Sequence, residues 1–342
     1  FPDPVKISKA LDRFEPDIVH SHHPFLLGYS AVREASKREI PVVFTHHTLY
    51  ERYTHYVPFD SDVMKELVVE LAVKYCNLVD QVIVPSRSVL NYLEELGVES
   101  PMTEVPTGVD VDHYGGGDGA RARRAHRIEP EAFLVGHVGR LTKEKNLGYL
   151  CRAIADAMER HDSARALIVG DGDDRDELKA IFREKGLDGR VRFPGSLTGR
   201  ELVDAYAAMD CFAFASTSET QGMVLAEAMA ASCPVVAVDA PGAREIVSDG
   251  ENGLLLEPDA SRDAFSQALS RLIDGEIDLP SMRRAASDTA RRFSISRCND
   301  KLADVYEQAI RTSRESASLN DDLSDWDRLG KHLRTQCKLL PQ

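Results

Sequence analysis

Two glutamates in one short segment have the side chains and spacing to bind a polar ligand. Glu219 and Glu227 flank Gly222 and the start of an apolar helical pattern in SETQGMVLAEAMA. A carboxylate at Glu227, among alanines and a methionine, is costly to bury unless it accepts hydrogen bonds, and two vicinal hydroxyls of a ligand would supply them. The helix amino terminus beyond Gly222 offers free N–H groups to an anion. The alternative interpretation is a capping glutamate and a solvated helix face.

A second segment, HVGRLTKEKNL, contributes two cations. Arg140 and Lys145 follow a strand-like run and precede a helical pattern. A planar guanidinium and a compact ammonium at a strand end suit a diphosphate, because both donate hydrogen bonds to phosphate oxygens. The alternative is an exposed helix on which Lys143, Glu144 and Lys145 are solvated charges. Together with the glutamates, these cations predict a ligand that carries both hydroxyls and phosphates.

The elements that must position these side chains alternate between strand and helix. Helical patterns separate the apolar runs, as in SDVMKELVVELAVKYC, where Val63, Leu67, Leu71 and Tyr75 mark one face. The alternation predicts an α/β protein with parallel sheets, with helices on both faces and ligands at the carboxyl ends of the strands. The strand-like runs are DIVH, VVFT, QVIVP, FLVGHVG, ALIVG, CFAFA and VVAVD.

Length, charge and cysteine usage restrict the class of protein. A chain of 342 residues is too long for one ordinary core and predicts two domains. The net charge of −14 argues against a nucleic-acid partner, which would need an extended basic footprint. No apolar run approaches membrane-spanning length, and no G-x-G-x-x-G follows an early strand as a dinucleotide oxidoreductase would require. The six cysteines lack C-x-x-C spacing, which indicates buried free thiols in a reducing, cytoplasmic compartment.

A break in the pattern divides the two halves of the chain. Residues 105–124 contain a glycine cluster and no clear apolar period, and are interpreted as an interdomain linker with its exit loop. After Thr312 the sequence becomes polar and then weakly amphipathic.

Several motifs, in the right order, resemble one enzyme family. HVGRLTKEKNL, LIVGDGDDRDEL, VRFPGSL and ETQGMVLAEAMAASCPVVAVDAPGAREIVSDGENGLLLEPD are similar to segments of the retaining nucleotide-sugar glycosyltransferases of GT-B type, family 4. The last segment contains that family's pair of glutamates with seven residues between them. The resemblance covers residues 5–312 and implies two Rossmann-like domains whose parallel sheets face each other across a cleft.

The resemblance also implies domain boundaries. Residues 1–107 would form an acceptor-side domain and residues 108–296 a nucleotide-sugar-binding domain, followed by a crossover helix at 297–312 and a tail at 313–342. Only about one helix precedes DIVH, whereas a Rossmann-like domain of usual size begins with further strand–helix units. The first domain is therefore expected to be incomplete at its amino terminus.

The same resemblance assigns roles on the donor side. Arg140 and Lys145 would grip the diphosphate of a UDP-sugar, and Glu227 would hold the ribose hydroxyls. Glu219 would face the donor sugar with a catalytic role, and the loop from Phe193 to Gly195 would border the base. The further donor contacts implied are the backbone groups of Thr220, Gly222, Met223 and Val224.

Histidines in HSHHP and FTHHTLYERYTHYVP allow three interpretations. They lack a carboxylate or cysteine at a convincing metal-ligand spacing, and a structural role suits His20, which ends a strand. By resemblance, His47 is catalytic, lying beside the donor sugar and stabilising a cationic transition state through its backbone carbonyl, and His22 lies on the acceptor side. Asp110 and Asp112 form a D-x-D pair, but in an ordinary turn of the family, so neither a metal nor another cofactor is expected.

The acceptor is suggested by two of these segments. FTHHTLYERYTHYVP and ETQGMVLAEAMA resemble bacterial glucosyltransferases that make glycosyl-diacylglycerols, which implies transfer of an α-hexose, glucose, to a lipid hydroxyl. The basic stretches RARRAHR (121–127) and 331–338 would suit a peripheral position on the inner face of the cytoplasmic membrane. The alternatives are a soluble small-molecule acceptor such as a sugar phosphate, or a nucleotide-binding remnant without turnover.

Overall fold

The structure is a computed structural model that describes residues 3–50 and 62–321. The chain divides into two compact units, one formed by the described residues up to 106 together with 298–321, the other by 107–297. Each unit contains one sheet, and the strand pairs in the described residues are parallel. The predicted α/β class with two parallel sheets is therefore confirmed.

The first unit is built on four strands in the order β1-β2-β3-β4. The two central strands are buried along their whole length, as expected for parallel strands with both faces covered. The elements of this unit are α1 (Pro4–Phe14), β1 (Val19–Ser21), α2 (Leu27–Ser36), β2 (Val42–Thr45), α3 (Asp62–Cys76), β3 (Gln81–Val84), α4 (Arg87–Glu95), β4 (Met102–Glu104) and, from residue 298 onwards, α13 (Ile295–Asp321).

Alternating side chains of β2 and β3 enter two separate cores, one on each face of the sheet. Phe44 of β2 packs in the core that also contains Tyr75 of α3. Val43 of β2 and Ile83 of β3 pack in the other core, against Val305 of α13. The carboxyl-terminal helix therefore completes the core of the first unit.

Helix α3 is buried over only part of its predicted apolar face. Tyr75, near its end, is fully buried, and its hydroxyl donates to Ser21 Oγ at 2.7 Å. Val63 and Leu67, near its start, are 75% and 45% exposed, so the apolar face that these residues mark is not buried there. A helix of 15 residues is about 22 Å long, whereas a strand of four residues spans about 13 Å, so the helix extends beyond the sheet.

The second unit holds six strands in the order β10-β9-β8-β5-β6-β7. One face of this sheet is covered by a core that includes Leu150 and Phe265, and the other by a core that includes Tyr206 and Met229. The elements are α5 (Val111–Gly115), α6 (Gly119–Ala125), β5 (Phe133–Val138), α7 (Leu147–Arg160), β6 (Ala164–Val169), α8 (Arg175–Glu184), β7 (Val191–Gly195), α9 (Gly199–Ala208), β8 (Cys211–Phe214), α10 (Met223–Ala230), β9 (Val235–Val238), β10 (Gly253–Leu256), α11 (Arg262–Ile273) and α12 (Leu279–Arg292).

Three strands, β4, β7 and β10, have no counterpart among the predicted strand-like runs. Each lies at an edge of its sheet and is only partly buried, whereas the central strands β2, β3, β8 and β9 are buried throughout. An edge strand needs no continuous apolar run, because one side of it stays near solvent. Hydrophobic patterning therefore identifies the centre of a parallel sheet better than its edges.

Residues 105–124, interpreted as an interdomain linker with its exit loop, contain the boundary between the two units at 106/107, but helices α5 and α6 occupy part of the predicted loop. Its glycines allow close packing on α9: a Cβ at Gly117 would lie 2.6 Å from Cβ of Ala207, and one at Gly119 would lie 2.4 Å from the carbonyl oxygen of Ala207. The absence of an apolar period reflects the small side chains that this contact requires.

The cysteines in the described residues are buried free thiols, and Cys337 lies outside those residues. Burial raises the pKa of the thiols of Cys76, Cys151 and Cys233 to about 12, so these groups are protonated and unreactive near neutral pH. The buried free cysteines are Cys76, Cys151, Cys211, Cys233 and Cys298.

The close approach of the β5 and β6 ends leads to a stability prediction for Gly170→Ala. Gly170 has φ +136°, and a Cβ there would lie 1.8 Å from the carbonyl oxygen of Gly139. The variant should lose about 2–4 kcal/mol of unfolding free energy, because a strained residue would also push the two strand ends apart. Chemical denaturation followed by circular dichroism measures this.

Gly189→Ala is the matched control, because a Cβ at Gly189 meets open space. Its unfolding free energy should stay within about 0.5 kcal/mol of the wild-type value. Equal stability of the two variants would contradict the role given to the Gly139–Gly170 contact.

Candidate functional site

The strand ends of the second unit bring two of the predicted site residues into direct contact. Lys145 lies in a 3₁₀ turn, Lys143–Lys145, shortly after β5, and Glu219 lies in the loop between β8 and α10. The Lys145 ammonium donates to Glu219 Oε1 at 2.6 Å, with the side chains 13% and 20% exposed. β5 and β8 are neighbours in the sheet, so a cation and a carboxylate from distant parts of the sequence meet at one edge.

Arg140, the other predicted phosphate ligand, is more accessible to solvent. It follows β5 by two residues, and its side chain is 57% exposed. One guanidinium nitrogen lies 3.6 Å from Glu144 Oε1, a surface ion pair that contributes little to stability. The guanidinium can therefore turn to an incoming anion at small energetic cost.

Glu227 is half-buried in the second turn of α10 and is bound by tyrosine. The Tyr206 hydroxyl donates to Glu227 Oε2 at 2.6 Å, and Tyr114 also interacts with this carboxylate. Burial raises the pKa of Glu227, and the hydrogen bonds from the two tyrosines oppose that shift. Glu227 is thus neither a helix cap nor a solvated charge, and its carboxylate has further lone pairs to accept ligand hydroxyls.

The turn between the two glutamates depends on glycines. Gly222 has φ +70° and is the N-cap of α10, without a side-chain hydrogen bond to the helix amino terminus. Gly242, with φ +89°, packs beneath this turn, and a Cβ there would lie 2.7 Å from Cβ of Glu219 and 3.0 Å from the Gly222 nitrogen. The amino terminus of α10 therefore lies beside Glu219. The predicted backbone contacts in and next to this turn are Thr220, Met223 and Val224, each half-buried.

Gly195 ends β7 at the same edge of the sheet. It has φ +88°, and its carbonyl accepts a hydrogen bond from the Gly170 nitrogen at 2.9 Å. Arg175 of α8 donates to the carbonyl of Phe193 at 3.2 Å and so fixes the loop to α8. The predicted base-side loop is thereby connected to the ends of β6 and β7.

Three side chains of this region were absent from the sequence prediction. His137 of β5 is 2% exposed, its Nδ1 donates to the carbonyl of Ala213 at 3.0 Å, and its Nε2 has no partner in the described residues. Burial lowers the pKa of His137 to about 4, with Lys145 contributing in the same direction, so this imidazole is neutral at pH 7. Tyr114 and Tyr206, which bind Glu227, are the other two. Only His137 had a sequence signal, because it lies in the same HVGR motif as Arg140.

In the first unit, the predicted histidines meet at the ends of β1 and β2. His22 Nδ1 and His47 Nε2 are 2.9 Å apart, and the two rings stack with centroids 5.2 Å apart. Partial burial and the neighbouring His22 lower the pKa of His47. One imidazole must donate and the other accept, so the pair shares a single proton between the two nitrogens.

His20 is fixed by contacts on both ring nitrogens. Nδ1 bonds the Tyr306 hydroxyl at 2.6 Å and Nε2 bonds Thr45 Oγ1 at 2.7 Å, while the ring lies 4.1 Å from that of His22. Burial, followed by the proximity of His22 and His47, lowers the pKa of His20 to about 4. His20 is therefore a neutral, structural residue that packs against the ring of His22. Residues 51–58 of the same histidine-rich segment lie outside the described residues.

The predicted D-x-D pair serves the local fold. The Asp110 carboxylate accepts from the His113 nitrogen at 3.0 Å and caps α5. Within residues 3–50 and 62–321, no group of three or more histidine, cysteine or acidic side chains is placed to hold a metal ion. A cavity of about 840 Å³ lies beside Asp110 and Asp112, and its lining includes none of the predicted donor-binding side chains.

Two of the four arginines in the basic stretch RARRAHR are paired with carboxylates of the second unit. Arg121 pairs with Asp204, and Arg123 pairs with Asp210 at 2.8 Å while also donating to backbone carbonyls. These two arginines therefore stabilise the unit, and the second predicted basic stretch, 331–338, lies outside the described residues. In the part of the chain that the structure describes, no helix has the length and apolar character needed to cross a bilayer.

Two family descriptions match the chain. Residues 118–293 match Glycosyl transferases group 1, and residues 1–113 match Glycosyltransferase Family 4. An alpha-monoglucosyldiacylglycerol synthase of Acholeplasma laidlawii is 28% identical over 256 residues, which cover 72% of this chain and 64% of that protein. A D-inositol 3-phosphate glycosyltransferase of Actinosynnema mirum is 32% identical over 331 residues, which cover 90% of this chain and 77% of that protein. The chain thus spans less than two thirds of the first relative's length.

A solved structure shares the fold. The HepE protein of Anabaena, solved in complex with UDP, superposes with a TM-score of 0.76 at 24% identity, covering 89% of this chain and 82% of that chain. The two parallel sheets are accordingly the Rossmann-like domains of a GT-B fold, as the sequence motifs implied. With one family description covering more than half of its length and a relative above 30% identity, this chain belongs to the group 1 glycosyl transferases.

Proposed function

We propose that this chain transfers glucose from UDP-glucose to a hydroxyl of a diacylglycerol-type lipid, with retention of the anomeric configuration. The observation that carries the proposal is the Lys145–Glu219 contact at the strand ends, beside the free amino terminus of α10. It combines a cation for phosphate, a carboxylate for sugar hydroxyls and free backbone donors in one place.

The donor side of the proposed reaction follows from charge. Cleavage of the anomeric carbon–oxygen bond leaves additional negative charge on the UDP diphosphate and positive charge on the sugar. Arg140 and Lys145 would stabilise the first, with the dipole of α10 contributing. Lys145 would then exchange its carboxylate partner for phosphate, which frees Glu219 to accept hydrogen bonds from the sugar. Glu227, with Oε2 occupied by Tyr206, would accept the ribose hydroxyls on its remaining lone pairs.

The acceptor hydroxyl would attack on the face from which UDP departs, which gives retention. The new carbon–oxygen bond forms as the old one breaks, and the acceptor proton passes to an oxygen of the leaving diphosphate. His47 would stabilise the positive sugar through its backbone carbonyl, and His22 would orient the His47 ring through their 2.9 Å contact. No further protein base is then required, which agrees with the low proton affinity of His20 and His47.

Two acceptor classes remain to be distinguished. The name of the Acholeplasma relative, a diacylglycerol glucosylating synthase, supports a lipid acceptor. The name of the Actinosynnema relative supports a soluble inositol phosphate acceptor, and the internal pairing of Arg121 and Arg123 removes part of the predicted basic membrane surface. The lipid acceptor is the first candidate because two sequence segments, one on each domain, resemble diacylglycerol glucosyltransferases.

The first prediction separates nucleotide binding from turnover. Glu227→Ala should weaken UDP binding by about tenfold to a hundredfold, since hydrogen bonds to a charged group are worth about 1.5–3 kcal/mol. His47→Ala should mainly lower kcat, because it removes the polar contact that the imidazole would make with the sugar in the transition state. Calorimetric UDP titration and a sugar-transfer assay measure the two effects.

A control is needed because Glu227→Ala leaves the buried Tyr206 hydroxyl without its acceptor. The double variant Glu227→Ala with Tyr206→Phe removes that orphan group and should regain stability but not UDP affinity. Recovery of wild-type UDP affinity in the double variant would show that the ribose assignment is wrong.

The second prediction concerns metal. Sugar transfer should persist in a strong chelator, because Arg140 and Lys145 supply the positive charge that a cation would otherwise provide. The activity of the protein is measured with and without EDTA, and then with added Mn²⁺. Complete loss in EDTA with recovery on Mn²⁺ would favour a metal-dependent mechanism.

The third prediction concerns the acceptor. The full-length protein should glucosylate diacylglycerol in mixed vesicles and co-sediment with vesicles that contain anionic lipid, less so at high salt. The matched measurement offers inositol phosphate as the soluble acceptor. Transfer to the soluble acceptor together with no transfer to diacylglycerol would reject the lipid proposal while leaving the donor assignment intact.

A further inference from the structure

A buried amide connects the loop of Glu219 to a distant peptide. Gln221 is 4% exposed, and its Oε1 accepts from the Thr107 nitrogen at 2.7 Å while its Nε2 donates to the Thr107 carbonyl at 2.9 Å. Both polar groups of the side chain are thus satisfied by one residue, 114 positions away in the chain. Among side chains of this length, only a glutamine or a protonated glutamate can donate and accept at once.

The peptide that Gln221 binds lies where the chain enters the second unit. Thr107 is the first residue of that unit. Two residues further, the Val109 nitrogen donates to the carbonyl of Phe293 at 2.8 Å, and the Val109 carbonyl accepts from the Ile295 nitrogen at 3.1 Å. The entering segment 107–109 and the leaving segment 293–295 are therefore fixed to each other, and Gln221 fixes both to the loop after β8.

Three of the contacts in the described residues fix the loop 219–222. Lys145 binds the Glu219 carboxylate, Gly242 packs against Cβ of Glu219 from beneath, and the Thr107 peptide holds the side chain of Gln221. Of these, the bond to Lys145 is the one that a phosphate ligand would replace. Once it is replaced, the glycine contact and Gln221 still fix the loop that carries Glu219.

We infer that Gln221 is a positioning residue for the proposed sugar transfer. Its amide fixes the loop 219–222 to the backbone of Thr107, so that the Glu219 carboxylate keeps the position in which it would contact the sugar. This inference rests on the proposed function. Arg140 and Glu227 lie on other elements, so nucleotide affinity should persist when the amide is lost, while turnover should fall.

The test compares Gln221→Met with Gln267→Met in the full-length protein. Methionine matches glutamine in length but makes neither hydrogen bond, and Gln267 is an exposed glutamine of α11 whose amide donates to Asp263. Gln221→Met should lower kcat about tenfold to a hundredfold, because a small misplacement of a positioned group has an effect of that size. Its UDP dissociation constant should stay within about threefold of the wild-type value, and Gln267→Met should match the wild type in both.

A pH profile of Gln221→Glu separates positioning from stability. A protonated glutamate can donate to the Thr107 carbonyl and accept from its nitrogen, whereas an ionised one repels that carbonyl. Turnover of this variant relative to the wild type should therefore rise as the pH falls. A purely structural role for Gln221 predicts that UDP affinity and kcat fall together at neutral pH and recover together in acid, whereas a positioning role predicts recovery of kcat at a nearly constant UDP affinity.

Different outcomes would overturn the inference about Gln221 and the proposed function. Wild-type turnover from Gln221→Met, or equal losses of UDP affinity and kcat, would overturn the inference while the wild-type protein still transfers sugar. Failure of the wild-type protein to transfer sugar to either acceptor would overturn the proposed function, and the inference with it.

Discussion

The ion pair between Lys145 and Glu219 is the interaction on which the candidate site depends. Both charges are partly removed from water, and a buried charge that loses its partner is strongly destabilising, so each side chain needs the other or a ligand group of suitable charge. In the proposed reaction, a diphosphate would replace the carboxylate at Lys145, and sugar hydroxyls would replace the ammonium at Glu219. The pair exists because β5 and β8 are adjacent in the sheet, which brings two distant loops to one edge.

The groups around this pair have protonation states set by burial. His137 is neutral because burial lowers its pKa to about 4, so it adds no competing cation next to Lys145. Burial raises the pKa of Glu227, and the hydrogen bonds from the tyrosine hydroxyls oppose that rise. In the first unit, His20 is neutral for the same reason as His137. The positive charge available to a phosphate thus comes from Arg140 and Lys145 rather than from these histidines.

The fold was predictable where local pattern and tertiary environment agree. The central strands β2, β3, β8 and β9 are buried throughout and read as continuous apolar runs, so their type and order followed from the sequence. The edge strands β4 and β7 carry no such run, and β10, with the apolar sequence GLLL, is buried only over its first two residues. At the start of α3, by contrast, an apolar pattern is not accompanied by burial. Val63 continues an apolar helix face beyond the length of the sheet and is exposed.

The sequence by itself determined the chemistry available, namely the two glutamates around a glycine turn and the two cations after a strand. Residue types and local spacing are enough for that, because a parallel α/β chain delivers the ends of its strands to one edge. The partners of these groups were decided only by tertiary structure. Tyr206 binds Glu227, Glu219 binds Lys145, and the Thr107 peptide binds Gln221. Each contact depends on which elements become neighbours in space, and local periodicity carries no information about that order.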